Sequence, residues 1–283
     1  MGCTVIVCTD GRKIDLLARC IDSISRQTYQ ELEITCVSKV ENLPDEVTDN
    51  CKLIVEKRSG VSLAKNIGIR ASKYDKIALT DDDCICEPDW VENLVSEFSN
   101  QNVGCVTGGS VPTREGLWYA STGHSPEREV FSGDDEFVPP WDMGAGNNVC
   151  FRKEAVVGIG LYDENLGPGT KFQSAEDIDV FYRILKGGYR IVYTPKAVVR
   201  HEPLDTLEQV KKMMSSYRFG IGAFFAKNQS SRQLRRYFLK VFLKGQLRHS
   251  RNSFIRGDAT MGNVYLRGFL AALKGYLKYA PVY

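Results

Sequence analysis

Long hydrophobic runs are missing from this 283-residue chain, and no stretch reaches the roughly 20 apolar residues of a membrane-spanning helix. A signal peptide is not indicated either, because the apolar run 3–8 is followed at once by Thr9 and Asp10. The formal net charge of +2 is too small to favour nucleic acid as a partner. We therefore predict a cytoplasmic protein that does not bind nucleic acid.

The cysteines do not have the pattern of a disulfide framework. There are nine, an odd number, and several lie inside strand-like runs. Cys84 and Cys86 form the only close pair, and they lack the further ligands of a zinc site. This distribution is typical of small buried side chains in a reducing compartment.

Strand and helix patterns alternate through the first 109 residues. Apolar runs predict strands at 3–9, 33–37, 52–56, 76–80 and 103–107. Helical spacing predicts helices at 12–28 and 62–72, and another that Pro88 opens. Such alternation predicts an α/β fold with a Rossmann-like, mostly parallel central sheet and helices on both faces.

The chain becomes less regular after residue 109. Segment 110–143 has no period and is rich in Gly, Pro, Ser and charge, and such segments are usually functional or disordered. Regular patterns predict strands at 148–151, 190–193 and 197–200, and a helix near 153–157. We expect a catalytic domain at 1–203, with halves 1–109 and 110–203, and a helical segment at 204–283.

Three successive aspartates, Asp81, Asp82 and Asp83, follow the apolar run 77–79. Carboxylates crowded into one turn repel one another, and a divalent cation held as Asp-x-Asp resolves that conflict. A turn built on aspartates is the structural alternative. Ligands of parallel sheets bind beyond the carboxyl ends of the strands, where Thr9 to Arg12 also fall. We therefore favour a Mn²⁺ or Mg²⁺ site that leaves positions open for phosphate oxygens.

A second acidic site opens a helix at Glu176 and Asp177. Ser174 as N-cap with an acidic residue three positions on approximates a capping box, which is the structural alternative. Capping does not explain the preceding Gly167-Pro168-Gly169-Thr170 loop. A carboxylate on a helix N-terminus beside a phosphate-binding crevice is well placed as a general base.

These segments, in this order, resemble the family 2 glycosyltransferases, which have the GT-A fold. The resemblance covers roughly the first 200 residues. It implies an inverting transferase that uses a nucleotide-diphosphate sugar and a divalent metal. The matching stretches are Val5 to Arg12, Gln27-Thr28-Tyr29, Gly60 to Ile69, Asp81 to Asp83 with Pro88-Asp89-Trp90, Gly146-Asn147-Asn148, and Glu176-Asp177 through Gly188-Tyr189 to His201.

The same resemblance implies roles for individual residues. Asp177 is the expected catalytic base, with Glu176 beside it. The expected metal ligands are Asp83, Asp81 and His201, where Asp81 would also touch the ribose and His201 would hold either the metal or the departing diphosphate. Lys65 stands where the family usually has Arg. The expected nucleotide-binding residues are Thr9, Asp10, Arg12, Ser38, Lys65, Asp81 and Asp82.

One departure concerns the nucleobase. The family usually has an acidic residue after the second strand, whereas this chain reads Ser38-Lys39-Val40, so uracil, thymine and guanine all stay open. The acceptor stays open too, as a glycan, a lipid-linked saccharide or a small molecule. We expect segment 110–143 to select the acceptor. Its aromatic side chains could stack on a sugar or lipid head group, and the alternative is that they only pack within the loop: Trp118, Tyr119, His124 and Trp141.

Basic residues are concentrated in the C-terminal segment. Arg236, Lys240, Lys244 and Arg248 recur every fourth residue, and an apolar stripe from Tyr265 to Leu277 follows. The segment is either a helical pair that packs on the catalytic domain or an amphipathic element on an anionic membrane surface, close to a lipid-linked acceptor.

Two rival functions remain at this point. A sugar nucleotidyltransferase also places carboxylates and metal over a Rossmann-like sheet, but it would need a glycine-rich phosphate loop, and Thr9 to Arg12 contains one Gly. A non-catalytic relative that binds a nucleotide or glycan would not need Asp81, Asp83 and Asp177. We favour the metal-dependent inverting glycosyltransferase.

Overall fold

A computed structural model describes residues 2–114, 125–133 and 138–279. Residues 1–164 and 176–203 form one compact unit, and residues 165–175 and 204–283 form a second. The sequence had placed 165–175 with the catalytic domain, whereas its contacts group it with the C-terminal helices.

The first unit is built on one sheet with strand order β3-β2-β1-β4-β8-β6-β9-β5, and β7 also pairs with β9. Strands β3, β2, β1 and β4 are mutually parallel, as are β6 and β9, whereas β5, β7 and β8 run antiparallel to their neighbours. This confirms the α/β prediction. The elements are β1 (Cys3–Thr9), α1 (Ile14–Ser25), β2 (Leu32–Ser38), α2 (Asp45–Thr48), β3 (Lys52–Val55), α3 (Val61–Ala71), β4 (Lys76–Asp81), β5 (Cys84–Cys86), α4 (Trp90–Ser96), β6 (Val103–Pro112), β7 (Glu129–Phe131), β8 (Val149–Arg152), α5 (Lys153–Gly158), α6 (Glu176–Lys186) and β9 (Arg190–His201).

Helices cover both faces of this sheet. Strand β1 shows why, because successive side chains point to opposite faces. Val5 and Val7 belong to the core cluster that contains Leu17 of α1, whereas Ile6 belongs to the cluster on the other face. A Cβ at Gly68 of α3 would lie 2.6 Å from Ile6 Cγ2, so glycine lets this helix approach the strand closely.

Strand β9 differs from the prediction. The sequence indicated two strands at 190–193 and 197–200, but the structure has one strand with a break in register, where Gly108 pairs with Thr194 and Gly109 with Val198. Asn148 occupies the break, and its Nδ2 donates to the carbonyl oxygens of Gly109 (2.8 Å) and Ala197 (2.9 Å). Pairing with β6 on both sides of the bulge makes the two segments one strand.

The second unit is helical. Its elements are α7 (Leu207–Lys227), α8 (Arg232–Tyr237), a π-helical stretch (Phe238–Leu243), α9 (Lys244–Ile255) and α10 (Ala259–Tyr279). Helices α7 and α10 pack closely, since a Cβ at Gly222 would collide with the Ala272 carbonyl oxygen, and one at Gly275 with that of Phe219. Within the described ranges, every helix falls short of the length and apolarity required to cross a bilayer.

The residues of the predicted apolar stripe of the last helix lie in two different environments. Tyr276 stacks on Phe238 at a ring-centroid distance of 5.0 Å, whereas Leu270 and Leu277 are 54% and 59% exposed. Val241 is also half exposed, whereas the adjacent Phe242 is buried. In the π-helical stretch Phe238–Leu243, the side chains lie at different angles from those of an α-helix. A pattern search with the α-helical period of 3.6 residues does not predict this difference.

Candidate active site

The carboxyl ends of three parallel strands meet at one edge of the sheet. Thr9 pairs with Ser38 across β1 and β2, and Cys8 pairs with Asp81 across β1 and β4. The two sequence segments that were expected to share a crevice, after β1 and after β4, therefore lie side by side. In sheets of this kind that edge is where ligands bind.

Thr9 joins the first loop to the aspartate triplet. Its Oγ1 donates to Asp82 Oδ2 at 2.6 Å and accepts from the Gly11 N–H at 3.1 Å. Burial raises the pKa of Asp82 to about 6 despite this hydrogen bond, and the charges of Asp83 and Asp81 add to the effect. Gly11 has φ +79° and lies against Val40, so the turn after β1 requires glycine.

Three other predicted nucleotide-binding residues make local contacts. Arg12 Nε donates to Asp10 Oδ2 at 2.7 Å, and both side chains are exposed. The buried Ser38 hydroxyl donates to the Val40 carbonyl oxygen at 2.8 Å and accepts from the Val40 N–H at 3.0 Å. Asp10 and Arg12 border the strand edge, whereas Ser38 shapes the loop after β2.

Asp83 lies between the side chains of Lys13 and His201. Lys13 Nζ is 2.9 Å from Asp83 Oδ2, and His201 Nε2 is 3.2 Å from Asp83 Oδ1. His201 arrives there because β5 and β9 pair antiparallel, with Cys84 opposite His201. Burial would raise the pKa of Asp83, but His201 and Lys13 hold it at about 2, and Asp83 in turn raises the pKa of His201 against the effect of burial.

The donor atoms beside Asp83 fit a divalent cation. Among the described residues, Asp83, Cys84 and His201 place one potential ligand atom each within 4.8 Å of one another. Burial raises the pKa of the Cys84 thiol far above its ordinary value, which keeps the thiol protonated and a poor ligand. A carboxylate and an imidazole remain, and this pair suits Mn²⁺ and accepts Mg²⁺. Asp81, a predicted ligand, does not belong to this group of three.

The second acidic site is not a capping box. Helix α6 begins at Glu176 after Ala175, which has φ +75°. The Ser174 hydroxyl donates to the Ser216 carbonyl oxygen at 2.9 Å and to that of Tyr217 at 3.3 Å. The capping alternative is therefore wrong, because Ala175 and not Ser174 directly precedes the first helical residue.

Backbone groups hold the Asp177 carboxylate in place. Oδ2 accepts from the Gly146 N–H at 3.2 Å, and Oδ1 accepts from the Ile178 N–H at 2.8 Å. Burial, and then the charge of Glu176, raise the pKa of Asp177 to about 6. A Cβ at Gly146 would lie 3.0 Å from Asp177 Cβ, so a side chain there would crowd the carboxylate. A fixed carboxylate with a pKa near 6 is suited to accept a proton at neutral pH.

Lys65 lies between the two acidic sites. Its side chain is 4% exposed, and Nζ is 3.2 Å from Glu176 Oε1. Burial would lower the pKa of Lys65, but the carboxylates of Glu176, Asp81 and Asp177 together with Tyr162 raise it above its ordinary value. The nucleotide contact of Lys65 stays a prediction, and the structure pairs its ammonium group with the carboxylate of Glu176.

Sequence reasoning missed two residues around these groups, Lys13 and Tyr162. Lys13 was passed over although it directly follows Arg12, and its position after the first strand was an available signal. The Tyr162 ring centroid lies 5.2 Å from Lys65 Nζ, and Asn66 donates to the Tyr162 carbonyl oxygen at 3.0 Å. No short motif identifies Tyr162, because its partners are nearly a hundred residues away. Of the predicted acceptor aromatics, three lie outside the described residues: Trp118, Tyr119 and His124.

Comparisons with known proteins identify the family of the chain. A family model described as Glycosyl transferase family 2 matches residues 4–157. The glucosyl-dolichyl phosphate glucuronosyltransferase of Haloferax volcanii is 26% identical, over 71% of this chain and 69% of the relative.

Solved structures share the architecture. The mannosyltransferase PcManGT from Pyrobaculum calidifontis, in complex with GDP-Man and Mn²⁺, matches with a TM-score of 0.68 and 18% identity, over 97% of this chain and 86% of the other. Residues 1–349 of S. aureus TarS, in complex with UDP, match with a TM-score of 0.56 and 11% identity, over 99% and 90% of the two chains. Likenesses at these identities establish the fold.

Proposed function

The chain belongs to glycosyl transferase family 2 and is a glycosyltransferase with the GT-A fold, and on that premise we propose a metal-dependent, inverting transfer from a nucleotide-diphosphate sugar to a hydroxyl acceptor. The observation that carries the proposal is the environment of Lys65. Its buried ammonium group is paired with Glu176, and the charges of Asp81 and Asp177 also raise its pKa. This supports treating the aspartate triplet and the α6 carboxylates as one site, in which the donor diphosphate would lie beside a general base.

Asp177 is the proposed general base. The acceptor hydroxyl loses its proton to Asp177 while its oxygen attacks the anomeric carbon, and the bond from that carbon to the diphosphate oxygen breaks. A single displacement of this kind inverts the anomeric configuration. General-base assistance is typically worth ~10²–10⁴ in rate, and the two backbone N–H donors orient the carboxylate for it.

Asp83 and His201 are the proposed cation ligands, with Asp81 on the ribose or a further ligand position. When bound, Mn²⁺ or Mg²⁺ would offset the negative charge that grows on the leaving diphosphate. Lys13 balances the charge of Asp83, and it would be close enough to the site to serve a phosphate oxygen if a cation took its place on that carboxylate. Thr9, Asp10, Arg12 and Asp82 form the proposed nucleotide-binding edge.

The proposed acceptor is a hydroxyl of a glycan or a lipid-linked saccharide. The Haloferax relative, named for a glucosyl-dolichyl phosphate acceptor, supports the lipid-linked form. The nucleotides in the two structural neighbours, GDP-Man and UDP, make guanine and uracil the first nucleobases to test, with thymine next.

The deciding experiment compares Asp177→Asn with the parent in donor binding and in turnover. A thermal-shift screen of UDP-, GDP- and TDP-sugars with Mn²⁺ first identifies the donor, because a bound ligand stabilises the fold by mass action. We expect the variant to bind the donor normally and to lose at least ~10²-fold in its transfer or donor hydrolysis rate. Asp22→Asn, at an exposed carboxylate of α1, is the matched control. Near-normal turnover of Asp177→Asn would refute the base assignment.

A further inference from the structure

The outer face of α10 carries an apolar stripe that no element of the described chain covers. Leu266, Leu270, Leu273 and Leu277 recur at intervals of four, three and four residues, which places them along one side of a helix. Leu266 is 37% exposed, and Leu270 and Leu277 are more than half exposed. We refer to these four residues as the leucine stripe.

The packed face of the same helix lies roughly opposite, at about 100° per residue. It consists of small residues and one aromatic residue, all of them buried: Gly268, Ala272, Gly275 and Tyr279. Close packing of that face against α7 fixes the rotation of α10 about its axis, since a Cβ at Gly275 would collide with the Phe219 carbonyl oxygen. The leucine stripe therefore points away from the core because of how the helix packs.

Positive charge borders the stripe along one flank. Arg267, Lys274 and Lys278 fall on one side of the leucines, all three are exposed, and α10 contains no Asp or Glu. The bias extends through the whole C-terminal segment, because residues 204–283 contain fifteen Lys and Arg and three Asp and Glu. Residues 1–203 have the opposite balance, with twenty-two Lys and Arg and thirty-two Asp and Glu.

We propose that this face of α10 docks on an anionic lipid surface, with the leucine stripe at the acyl boundary and the basic flank on the lipid headgroups. A stripe of leucines beside cations is the composition of an interfacial amphipathic helix. A second copy of this chain fits less well, because two such faces in contact would bring the same cations together without carboxylates to pair them. The proposal rests on this surface alone and does not depend on the proposed reaction.

Flotation with lipid vesicles tests the proposal on the full chain. The parent protein is expected to float with vesicles that contain about a third phosphatidylglycerol in phosphatidylcholine, and not with phosphatidylcholine alone. The triple variant Arg267→Gln, Lys274→Gln and Lys278→Gln should lose on the order of 100-fold in affinity, since each basic residue near such a surface contributes about fivefold. Exposed lysines of the first unit give the matched control, which should float like the parent: Lys52→Gln, Lys57→Gln and Lys196→Gln.

A second variant separates lipid docking from self-association. Leu270→Ser with Leu277→Ser should abolish flotation while the far-ultraviolet circular dichroism and the melting temperature stay those of the parent. Leu207→Ser with Val157→Ser, at similarly exposed positions elsewhere, should float normally. Equal flotation of parent and stripe variant would overturn the proposal. The proposal would also be overturned if the parent did not float and sedimented as a dimer, while the stripe variant sedimented as a monomer. That result would assign the face to a second copy of the chain.

Discussion

Lys65 Nζ lies 3.2 Å from Glu176 Oε1, and both side chains are almost entirely removed from solvent. The contact joins α3 to the first turn of α6, two helices that are 111 residues apart in sequence at these positions. An ammonium group in this place balances the carboxylates of both acidic sites at once. We therefore expect the position of α6, and with it that of Asp177, to depend on this pair.

Lys65→Met should cost about 3–5 kcal/mol in the free energy of unfolding, because it leaves Glu176 buried without its counter-charge. Removal of the same charge should also raise the pKa of Asp177, since Lys65 opposes protonation of that carboxyl. Chemical denaturation measures the first effect, and the pH dependence of turnover measures the second.

The double variant Lys65→Met with Glu176→Gln is the control for this interpretation. It should recover a large part of the lost stability, because the uncompensated charge is gone. Lys57→Met, which breaks an exposed pair with Glu41, should change little. If Lys65→Met were as stable as the parent, the pair would not organise the site.

Turnover should fall with decreasing pH through about 6, because the pKa of Asp177 is raised to that value and only the carboxylate can accept a proton. The stability of the folded state depends on pH in the opposite sense. A raised pKa means that the folded state favours the protonated form, so this contribution to stability is complete below the ordinary value near 4 and is lost as the pH rises through 6. Asp177→Asn should therefore raise the melting temperature at pH 7.5, and the gain should shrink as the pH falls through 6.

Rate profiles between pH 5 and 8.5 check this assignment under saturating donor. The residual rate of Asp177→Asn should lack the inflection near 6. An unchanged inflection in that variant would assign the titration to a different group.

Asn148→Ala should destabilise the fold without removing a reacting group. Asn148 is fully buried, accepts from Trp90 Nε1 at 2.8 Å and donates to two carbonyl oxygens at the β9 bulge. Loss of this side chain leaves buried partners unsatisfied, at about 1–3 kcal/mol each. Denaturation curves measure the loss, and donor affinity of the remaining folded protein should match the parent. A stable but inactive Asn148→Ala would show instead that this residue serves the reaction directly.

Local pattern predicted much of the first unit. Strand β1 was predicted at its observed limits, and the acidic triplet was correctly placed at the end of a strand. Both predictions depend on neighbouring residues, because an apolar run followed directly by polar residues indicates where a buried strand ends. Alternation of strands and helices also predicted which edge of the sheet gathers the site. The order of β8, β6 and β9 was not predicted, since their pairing depends on contacts far apart in sequence.

In the candidate site, too, the sequence identified residues but not the contacts between them. Asp83 and His201 were both named from the sequence, yet the register between β5 and β9 that brings them to 3.2 Å has no local signature. Ser174 was a possible cap because its spacing to Asp177 fits one, but the helix begins two residues after it, and its hydroxyl donates to the Ser216 carbonyl oxygen. Local spacing identifies candidate groups, whereas tertiary packing decides which partner each group meets.

Asp83→Asn and Cys84→Ala distinguish the ligands of the proposed cation site. Asp83 is charged, with its pKa held at about 2, whereas the adjacent thiol is buried and protonated. Of these two groups, only the Asp83 carboxylate is suited to Mn²⁺. Its loss should weaken Mn²⁺ binding by at least about 10-fold, because affinity at such sites follows the number of charged ligands. Cys84→Ala should bind Mn²⁺ like the parent, although its smaller side chain lowers the melting temperature. Titration calorimetry with Mn²⁺, with and without the nucleoside diphosphate, measures both. Loss of Mn²⁺ binding in Cys84→Ala but not in Asp83→Asn would mean that the thiolate holds the metal, and the proposed role of Asp83 would then be wrong.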